Sequence, residues 1–336
     1  MSSDNENIKT NIRPGDAIKQ KAPAAAVPAP DPAHLAAMKE SKKRLHRRRR
    51  IQDWFMFTGY LTPSLAGVLL FFFLPLLMIF KTSFQKSTTN TTFVGVTNYD
   101  KVLSNEAFKI AALNTLRFSG IAVPLAVILA LLLAILLNSG IPAQSAFRSV
   151  LLNPMMVPVA SVVLIWQVFF SYNGVANAWG INHLFEPDKI DWLKSDYAQL
   201  VILALFLWKN LGYNMVLFLA ALNSIDEQIL EAAMMDGAGS IRRFFSIKMY
   251  FLAPTIFFVA IMSLINSFKI FREVYLLTGD HPYTNLYMLQ HFMNNCFKNL
   301  EYNKLSAGAI VMCVVMIIIV GGLFYAESKF DADVEG

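Results

Sequence analysis

Four charged side chains lie within or near the ends of strongly apolar segments: Lys209, Lys269, Arg272 and Glu273. A charge at the centre of a bilayer costs roughly 2.5–3.5 kcal/mol on insertion scales, so such residues usually face protein or a water-filled cavity. Lys269 and Glu273 are one helical turn apart and are placed to neutralise each other. If the protein is an ion-coupled carrier, Lys269, Arg272 and Glu273 would instead couple ion movement to transport of the solute.

Amide and aromatic side chains accompany these charges in the same segments. Aromatic faces stack on the C–H surfaces of sugars and amides pair with hydroxyl groups, so the set suits a polar pathway. The competing interpretation is structural, because Asn also joins helices by hydrogen bonds and Trp lies at lipid interfaces. Both interpretations stay open. The candidate pathway residues are Asn153, Trp166, Trp208, Asn210, Tyr213, Asn214 and Asn266.

A polar, helix-prone stretch, EAAMMDGAGSIRRFFSIKMYFLAP, separates two apolar segments between Glu231 and Pro254. The apolar residues leading into it keep near-helical spacing, which predicts that the preceding helix continues as an amphipathic helix. Gly237 and Gly239 interrupt it, because glycine adopts a positive φ at little cost. Ser240 is expected to cap a second, short helix. Helices this short are marginal in water, so the unit needs a docking groove unless it is a solvated hairpin without a partner.

Motifs for nucleotide, metal and thiol chemistry are missing from the sequence. Gly237-Ala-Gly239 starts like a dinucleotide-binding GxGxxG but lacks the third glycine and a preceding strand. No GxxxxGK[ST] phosphate loop occurs, so any ATP must bind to another subunit. The five histidines form no HExxH or i,i+4 pair. Cys296 and Cys313 make no disulfide framework. We therefore expect a chain that is not an enzyme and binds no metal and no cofactor.

The composition is that of a membrane protein. The 336 residues are 55% hydrophobic and 15% charged, whereas soluble domains are about 45–50% apolar and about 25% charged. A hydrocarbon core of about 30 Å takes about 20 helical residues to cross, and lipid offers the backbone no hydrogen-bond partner. The predicted fold class is therefore all-α, with six transmembrane helices. They are expected at about 55–80, 112–137, 148–170, 198–222, 252–277 and 305–327.

Residues 1–50 are predicted to be a disordered cytoplasmic tail, polar at first and then rich in Pro and Ala. The tail ends in the basic cluster KESKKRLHRRRR, from Lys39 to Arg50. Such a cluster holds an N-terminus in the cytoplasm, although contact with anionic lipid or nucleic acid is an alternative. The net charge of +6 is concentrated there rather than spread over a binding face, so no nucleic-acid partner is expected.

Six crossings from a cytoplasmic N-terminus place the C-terminal tail, 331–336, in the cytoplasm as well. The membrane domain is predicted to span residues 51–330. Its loops at about 81–111, 171–197 and 278–304 are expected outside, and those at about 138–147 and 223–251 inside.

The polar stretch resembles the EAA loop of ABC-transporter permease subunits. Glu231-Ala232-Ala233, Asp236-Gly237-Ala238, Phe244, Ile247 and Pro254 match the EAA pattern at its normal intervals. Other residues are similar to those of the carbohydrate-uptake permeases of the maltose and glycerol-phosphate type, and the resemblance covers residues 55–327. They are Phe93-Val94-Gly95, Asn98-Tyr99, Asn114-Thr115, Phe147-Arg148, Pro154, Trp166, Gly174, Asn177, Trp208, Gly212 and Leu219-Ala220.

The sequence departs from the family pattern in two places. Tyr250 stands where the family usually has proline. The family's bend at the end of the loop is therefore not implied for this chain. Thr278-Gly279-Asp280-His281-Pro282 replaces a frequent TGGGP in the outer loop. The extra periplasmic domain and spans of the maltose subunit are also missing, so the resemblance implies the plain six-span type I importer fold.

The resemblance implies a permease subunit in the bacterial cytoplasmic membrane that moves a mono- or oligosaccharide by alternating access. It implies three kinds of partner besides lipid: a second homologous permease, two cytoplasmic ABC ATPases that bind ATP and Mg²⁺, and an extracytoplasmic solute-binding protein. In the EAA loop, about 224–254, Glu231 would pair with a basic ATPase surface and Gly237 would permit the turn. Phe244 and Ile247 would fill the docking groove. The implied coupling residues are Glu231, Ala232, Ala233, Asp236, Gly237, Ala238, Phe244 and Ile247.

Three alternatives remain at this point. The importer could carry another solute, such as glycerol phosphate. An ion-coupled secondary transporter would continue uptake after loss of the ATPase. A membrane scaffold would recruit a partner through the inner loop without transporting anything.

Overall fold

The described part of the chain is helical in the computed structural model, which describes residues 54, 56–87, 91–140, 142 and 144–335. Within these ranges there is no strand, and an isolated antiparallel bridge joins Gln85 and Phe93. The chain divides into two compact units, Met1–Phe71 and Phe72–Gly336. The packing and the sites described below belong to the second unit. The predicted tail at 1–50 lies outside the described residues.

Six helices in the described ranges are long and apolar enough to cross a membrane, which confirms the predicted all-α, six-span fold class. The first, fourth and sixth begin and end within about three residues of the predicted bounds. The second begins earlier, at Glu106, and the third and fifth are composite. The six helices are Met56–Ser83, Glu106–Asn138, Val159–Ala178, Ala198–Asn223, Ser240–Thr278 and Tyr302–Lys329.

The helices are numbered here in chain order. The first, α1, is Met56–Ser83 and contains a π-helical turn at Leu69–Phe73. The others are α2 (Thr97–Leu103), α3 (Glu106–Asn138), α4 (Gln144–Met156), α5 (Val159–Phe170), α6 (Val175–Ala178), α7 (Ala198–Asn223), α8 (Glu227–Met235), α9 (Ser240–Arg243), α10 (Met249–Phe268), α11 (Phe271–Thr278), α12 (Leu289–Lys298) and α13 (Tyr302–Glu335).

The contact between α3 and α7 forms the centre of the second unit. Ala122, Ala126, Ala130 and Ala134 recur every four residues on α3, and all four are fully buried. Small residues at this spacing let two helix backbones approach closely, which favours dispersion contacts and interhelical hydrogen bonds in a membrane. The α7 side chains in the same clusters are Ile202, Leu205, Phe206, Met215, Phe218, Leu219 and Leu222.

The region predicted as the third span, 148–170, is broken into α4 and α5, and the span of the structure begins with α5 at Val159. The break lies at Val157 and Pro158, and Pro158 is the residue at the N-cap of α5, with an extended ψ of 137°. The break follows from Pro158, since proline disfavours a helical conformation in the residue before it. Pro154 lies inside α4. Gly212 of α7 allows α4 to come very close, because a Cβ there would stand 1.9 Å from the Leu151 carbonyl oxygen.

The fifth span is also composite. It starts as α9, passes through a π-helical turn at Phe244–Lys248, and continues as α10. It is interrupted again at Lys269 and Ile270 before α11. Pro254, in the first turns of α10, does not end the helix.

The loops at 84–105, 171–197 and 279–301 form what we call the long-loop end, and two asparagines organise it. The Asn98 amide donates to the Ser83 and Gln85 carbonyls at 2.9 and 2.8 Å. The Asn177 amide donates to the Ile190 carbonyl at 2.8 Å and accepts from the indole N–H of Trp192 at 3.0 Å. Each of these two amides therefore holds the backbone of one loop in place. This gives a structural role to Asn98 and Asn177, which are among the residues that carry the family resemblance.

Candidate functional site

A polar cavity of about 800 Å³ opens between α7, the α4–α5 break and the α10–α11 break. The other helices contribute where their regular structure ends, whereas α7 contributes from the middle of a continuous helix. The cavity therefore joins side chains that are far apart in sequence. Its lining consists of Met155, Val159, Phe206, Lys209, Asn210, Asn266, Lys269, Ile270, Phe271, Arg272, Glu273, Tyr275, Leu276 and Gln290.

Lys209 of α7 and Glu273 of α11 both line the cavity, and their side chains form an ion pair that links the two helices. The side chains are 20% and 8% exposed, so both charges are largely removed from solvent. Lys209 lies near the middle of the 26-residue α7, where an uncompensated ammonium would be costly. The predicted pairing of Glu273 with Lys269 is therefore wrong. Glu273 compensates the more buried lysine instead.

Amide hydrogen bonds join α7 and α10 beside the cavity. Asn266 donates to the Asn210 side-chain oxygen at 3.0 Å, and Asn210 donates to the Phe206 carbonyl at 2.8 Å. Deeper in the unit, Asn214 is buried and donates to the Ser263 hydroxyl at 2.9 Å. All three asparagines thus join α7 and α10 by hydrogen bonds, and Asn210 and Asn266 also line the cavity, so their part in a pathway stays a prediction.

Lys269 and Arg272 also line the cavity, and both side chains are exposed. Within the described part of the chain, neither side chain has an ion pair or a hydrogen bond. At the mouth, Tyr275 accepts a hydrogen bond from Lys298 at 3.0 Å. Lys298 also pairs with Asp280, and this hydrogen bond lowers the pKa of the Asp280 carboxyl and raises the pKa of the Lys298 ammonium.

The structure brings two of the seven candidate pathway residues, Asn210 and Asn266, to the cavity lining. The indoles of Trp166 and Trp208 contact each other, with ring centroids 6.2 Å apart, behind that lining. Asn153 is exposed on α4 and Tyr213 is half-buried on α7, and neither lines the cavity. Their part in a pathway stays a prediction.

Several lining residues carry no signal that sequence reasoning could have used. Gln290 comes from α12 in the long-loop end, and Phe271 and Tyr275 lie one turn apart on α11. Lys209 and Glu273 did have a signal, because both are charges within apolar segments. Only the three-dimensional contact shows that they pair with each other.

The second candidate site is the turn between α7 and α10, residues 224–248, which we call the exposed turn. The fourth span does not continue into it, contrary to the predicted amphipathic extension. α7 ends at Asn223, and Asp226 starts a separate helix by accepting a hydrogen bond from the Gln228 N–H at 2.9 Å. An N-cap of this kind satisfies a backbone N–H that the helix leaves without a partner.

Gly237 ends α8 as predicted. Its φ is +78°, the left-handed region that glycine reaches most easily. The Gly237 N–H bonds the Met234 carbonyl at 3.0 Å, and the Ala238 N–H bonds the Ala233 carbonyl at 2.9 Å. This pair of bonds is a Schellman motif. The N-cap predicted at Ser240 is wrong by one residue, because Gly239 is the N-cap and Ser240 begins α9.

The exposed turn presents apolar and acidic side chains to its surroundings. Met235, Ile241 and Phe245 are 89%, 76% and 67% exposed. Sequence reasoning did not single out Met235 or Ile241, and the Phe245 ring contacts the Phe244 ring, with centroids 5.1 Å apart. Of the implied coupling residues, four are exposed and four are half-buried. The exposed ones are Glu231, Ala232, Asp236 and Gly237, and the half-buried ones are Ala233, Ala238, Phe244 and Ile247.

Phe244 lines a groove of about 290 Å³ formed by the exposed turn and the end of α3. Leu230 and Ile135 line the same groove. The Nε of Arg243, another lining residue, is buried without a hydrogen-bond partner among the described residues. The exposed turn therefore holds a concave apolar surface beside an unsatisfied cationic donor.

The exposed turn and the polar cavity are the two ends of one helical run. From Ser240 the chain continues through α9 and the π-helical turn into α10, which ends at Phe268. The 20 residues of α10 alone are about 30 Å long. Asn266 and Lys269, at its far end, line the cavity. A displacement of the turn would therefore reach the cavity wall through a continuous backbone.

Residues 122–326 match the family described as binding-protein-dependent transport system inner membrane component. The chain is 30% identical over 265 residues to the trehalose/maltose transport system permease protein MalF of Thermococcus litoralis, which covers 77% of this chain and 90% of that protein. It is 29% identical over 276 residues to the arabinooligosaccharides transport system permease protein AraP of Bacillus subtilis, covering 79% and 84%. It is 28% identical over 279 residues to the sn-glycerol-3-phosphate transport system permease protein UgpA of Agrobacterium fabrum, covering 80% and 92%.

The fold is similar to that of a solved bacterial ABC transporter involved in the import of the acidic polysaccharide alginate. The TM-score is 0.72 at 21% sequence identity, over 85% of this chain and 99% of that one. A second structure, of the bacterial alginate ABC transporter in complex with an alginate pentasaccharide-bound periplasmic protein, gives a TM-score of 0.69 at 22% identity, over 82% and 94%. These similarities concern the arrangement of the helices.

Proposed function

We propose a function from one premise: the chain belongs to the family of inner membrane components of binding-protein-dependent transport systems. It is the permease subunit of an ABC importer for a mono- or oligosaccharide. Relatives named for trehalose/maltose and for arabinooligosaccharides support the saccharide. The relative named for sn-glycerol 3-phosphate keeps that solute as the alternative.

One observation carries this proposal: a single helical run connects the exposed turn with the wall of the polar cavity. An importer whose ATP is bound by another subunit needs such a connection, because force must pass from a cytoplasmic partner to the substrate path. Asn266 lies near the cavity end of this run, and Phe245 lies near the other.

The exposed turn is the proposed docking element for the ATPase. Glu231 and Asp236 offer carboxylates to a basic surface, and Gly237 sets the angle between α8 and α9. The exposed Met235, Ile241 and Phe245 would enter the partner, and Phe244, which lines the groove of the exposed turn, would fill the partner's docking groove together with Ile247. The apolar side chains are exposed because their partner is another protein. ATP and Mg²⁺ would bind to that ATPase, and none of this chain's residues is assigned to them.

The polar cavity is the proposed saccharide site. Asn210, Asn266 and Gln290 supply amides for sugar hydroxyls, and Phe271 and Tyr275 supply aromatic faces. Its volume, about 800 Å³, lies within the range of roughly 300–1,000 Å³ that ligand sites usually have. Alternating access follows if ATP closure of the ATPase pair moves the turn and the helical run tilts. By linkage, the saccharide shifts this equilibrium only through a difference in affinity between the two states.

The proposed assembly contains a second homologous permease, two ATPases and an extracytoplasmic solute-binding protein. The turn would lie in the cytoplasm, and both termini with it, in a multi-pass protein of the bacterial cytoplasmic membrane. The long-loop end would receive the binding protein. The solved transporter in complex with a pentasaccharide-bound periplasmic protein supports that partner.

Uptake by the co-purified assembly tests the proposal. A tagged chain is expected to bring down an ABC ATPase, and proteoliposomes with the binding protein should take up a labelled saccharide only with ATP.

Valine at position 237 cannot adopt the left-handed φ without strain of about 1–2 kcal/mol, so Gly237→Val should lower uptake about tenfold. Gly237→Asn is the matched control, because asparagine tolerates this conformation and should retain most uptake.

Three outcomes would contradict the proposal. Uptake that persists without ATP and follows an ion gradient would indicate a secondary transporter with ion coupling at Lys269, Arg272 and Glu273. An assembly without any solute flux would indicate a scaffold. Equal uptake by the Gly237→Val and Gly237→Asn variants would remove the turn from the coupling mechanism.

A further inference from the structure

The charges that line the polar cavity do not balance. Among the described lining residues there are three cations, Lys209, Lys269 and Arg272, and one anion, Glu273. Lys209 and Glu273 neutralise each other in a largely buried ion pair. Two positive charges, on Lys269 and Arg272, therefore remain for whatever enters the cavity.

These two cations lie at the α10–α11 break. Lys269 is the C-cap residue of α10 and Arg272 is the second residue of α11, and both line the same cavity. Both are exposed, and both line the cavity rather than a loop surface. Lys269 is nine residues before the end of α11 at Thr278, so it lies inside the fifth span.

An uncompensated cation in a span is costly unless it faces water, a counter-ion or a ligand. The acid that could have compensated them, Glu273, is already bound to Lys209. Arg272 carries a planar guanidinium that matches a carboxylate or a phosphate with two parallel hydrogen bonds, and Lys269 adds a point charge beside it. The neighbouring Asn210, Asn266 and Gln290 are neutral and suit hydroxyl groups.

We propose that the polar cavity binds an anionic saccharide, with the carboxylate or phosphate of the sugar placed between Lys269 and Arg272. This inference rests on the proposed import of a saccharide and narrows its substrate class. The amides of Asn210, Asn266 and Gln290 hold the hydroxyl groups of the same sugar. The Lys209–Glu273 pair is neutral overall, so the net positive charge of the lining comes from Lys269 and Arg272.

Equilibrium binding to the co-purified assembly in lipid nanodiscs, without the solute-binding protein, tests the inference. The probes are radiolabelled digalacturonate against neutral galactobiose, and galactose 6-phosphate against galactose. At least one anionic probe is expected to bind about tenfold or more tightly than its neutral match, the effect of one hydrogen bond to a charged group. A preference for digalacturonate identifies the anion as a carboxylate, and a preference for galactose 6-phosphate identifies it as a phosphate.

Substitution then locates the preference. In the Lys269→Gln/Arg272→Gln variant, the ratio of anionic to neutral affinity should fall close to one. The charge-preserving Lys269→Arg/Arg272→Lys variant should keep most of it. In the unmodified assembly, binding of the preferred anionic probe should weaken with added salt, since a partly open site is screened.

Two results would overturn the inference. The first is wild-type binding in which neither anionic probe exceeds its neutral match, including no detectable binding of either. The second is a preference that survives the double glutamine variant. Neither result contradicts the proposed import function if the assembly takes up a neutral saccharide in an ATP-dependent manner. That function itself would be contradicted if no ABC ATPase co-purified with the chain or if uptake did not depend on ATP.

Discussion

The polar cavity and the exposed turn are built by opposite means. Around the cavity, the contacts join residues far apart in sequence: Lys209 with Glu273, Asn214 with Ser263, and Ser119 with Ser267. In the turn, the contacts join close neighbours, as when Asp226 caps the Gln228 N–H. The cavity therefore depends on contacts between helices of the bundle, whereas the helix ends of the turn are capped locally and the turn meets the bundle through Ile225 and Leu230.

This difference suits the two tasks. A substrate path must keep several helices in register, so its polar groups are satisfied across helices. A docking element must move as a unit and keep apolar side chains available, so its backbone is satisfied locally. The comparison predicts that substitutions around the cavity reduce the stability of the whole bundle, whereas those in the turn act within a few residues.

The largest effect is expected at the buried ion pair. Lys209→Met or Glu273→Leu alone leaves one largely buried charged side chain without its partner, which typically costs about 3–5 kcal/mol. The double variant Lys209→Met/Glu273→Leu should cost much less than the sum, because both charges are gone. The unfolding midpoint of the purified assembly, measured for all four proteins of this cycle, gives the coupling.

The exposed pair Lys109–Glu106 is the matched control for this cycle. Its side chains are 53% and 80% exposed. Lys109→Met should lower the midpoint little, because exposed pairs contribute about 0–1 kcal/mol. Additive losses at Lys209 and Glu273 would show that the cavity wall does not depend on their contact.

A second, smaller effect is expected where α4 meets α7. A Cβ at Gly212 would stand 1.9 Å from the Leu151 carbonyl oxygen, a backbone atom that cannot rotate away. Gly212→Ala should therefore cost about 1–3 kcal/mol by overpacking and lower the unfolding midpoint. Gly120→Ala in α3 is the control, since nothing lies within 4 Å of its added Cβ. A midpoint equally unaffected by both would contradict the close approach of these helices.

Local signals made parts of the fold predictable from the sequence. The six spans follow from apolar length alone, the break at Pro158 from proline geometry, and the end of α8 from Gly237. Membership of the family could also be recognised, because the EAA residues occupy the turn at fixed intervals. These features need no knowledge of which helices touch.

The cavity could be predicted only in part for the converse reason. Asn210 and Asn266 were identified as polar residues in apolar segments, but the same signal selected Asn214, which bonds Ser263 and does not line the cavity. Spacing along one helix favoured Lys269 as the partner of Glu273, whereas the contact between α7 and α11 brings Lys209 closer. Periodicity describes one helix at a time, and a site between helices depends on their relative rotation.

The separation of α7 from α8 shows the same limit at short range. Apolar residues continue at helical spacing through this region, yet Asp226 and Gln228 start a new helix there. The side-chain hydrogen bond of an N-cap competes with continuation of the helix, and hydrophobic periodicity does not record it. A closer reading of Asp226 as a capping residue would have found the break.

The smallest effect is therefore expected from removing that cap. Asp226→Ala loses the hydrogen bond to the Gln228 N–H and should destabilise α8 by about 1 kcal/mol, which increases local opening about fivefold. Faster hydrogen exchange should be confined to the amides of Glu227–Met235, with the unfolding midpoint of the bundle unchanged. Asp226→Ser keeps a capping oxygen and should exchange like the wild type. Faster exchange that spreads into α7 would mean that turn and bundle open together, and the turn would then lack the independence that a docking element requires.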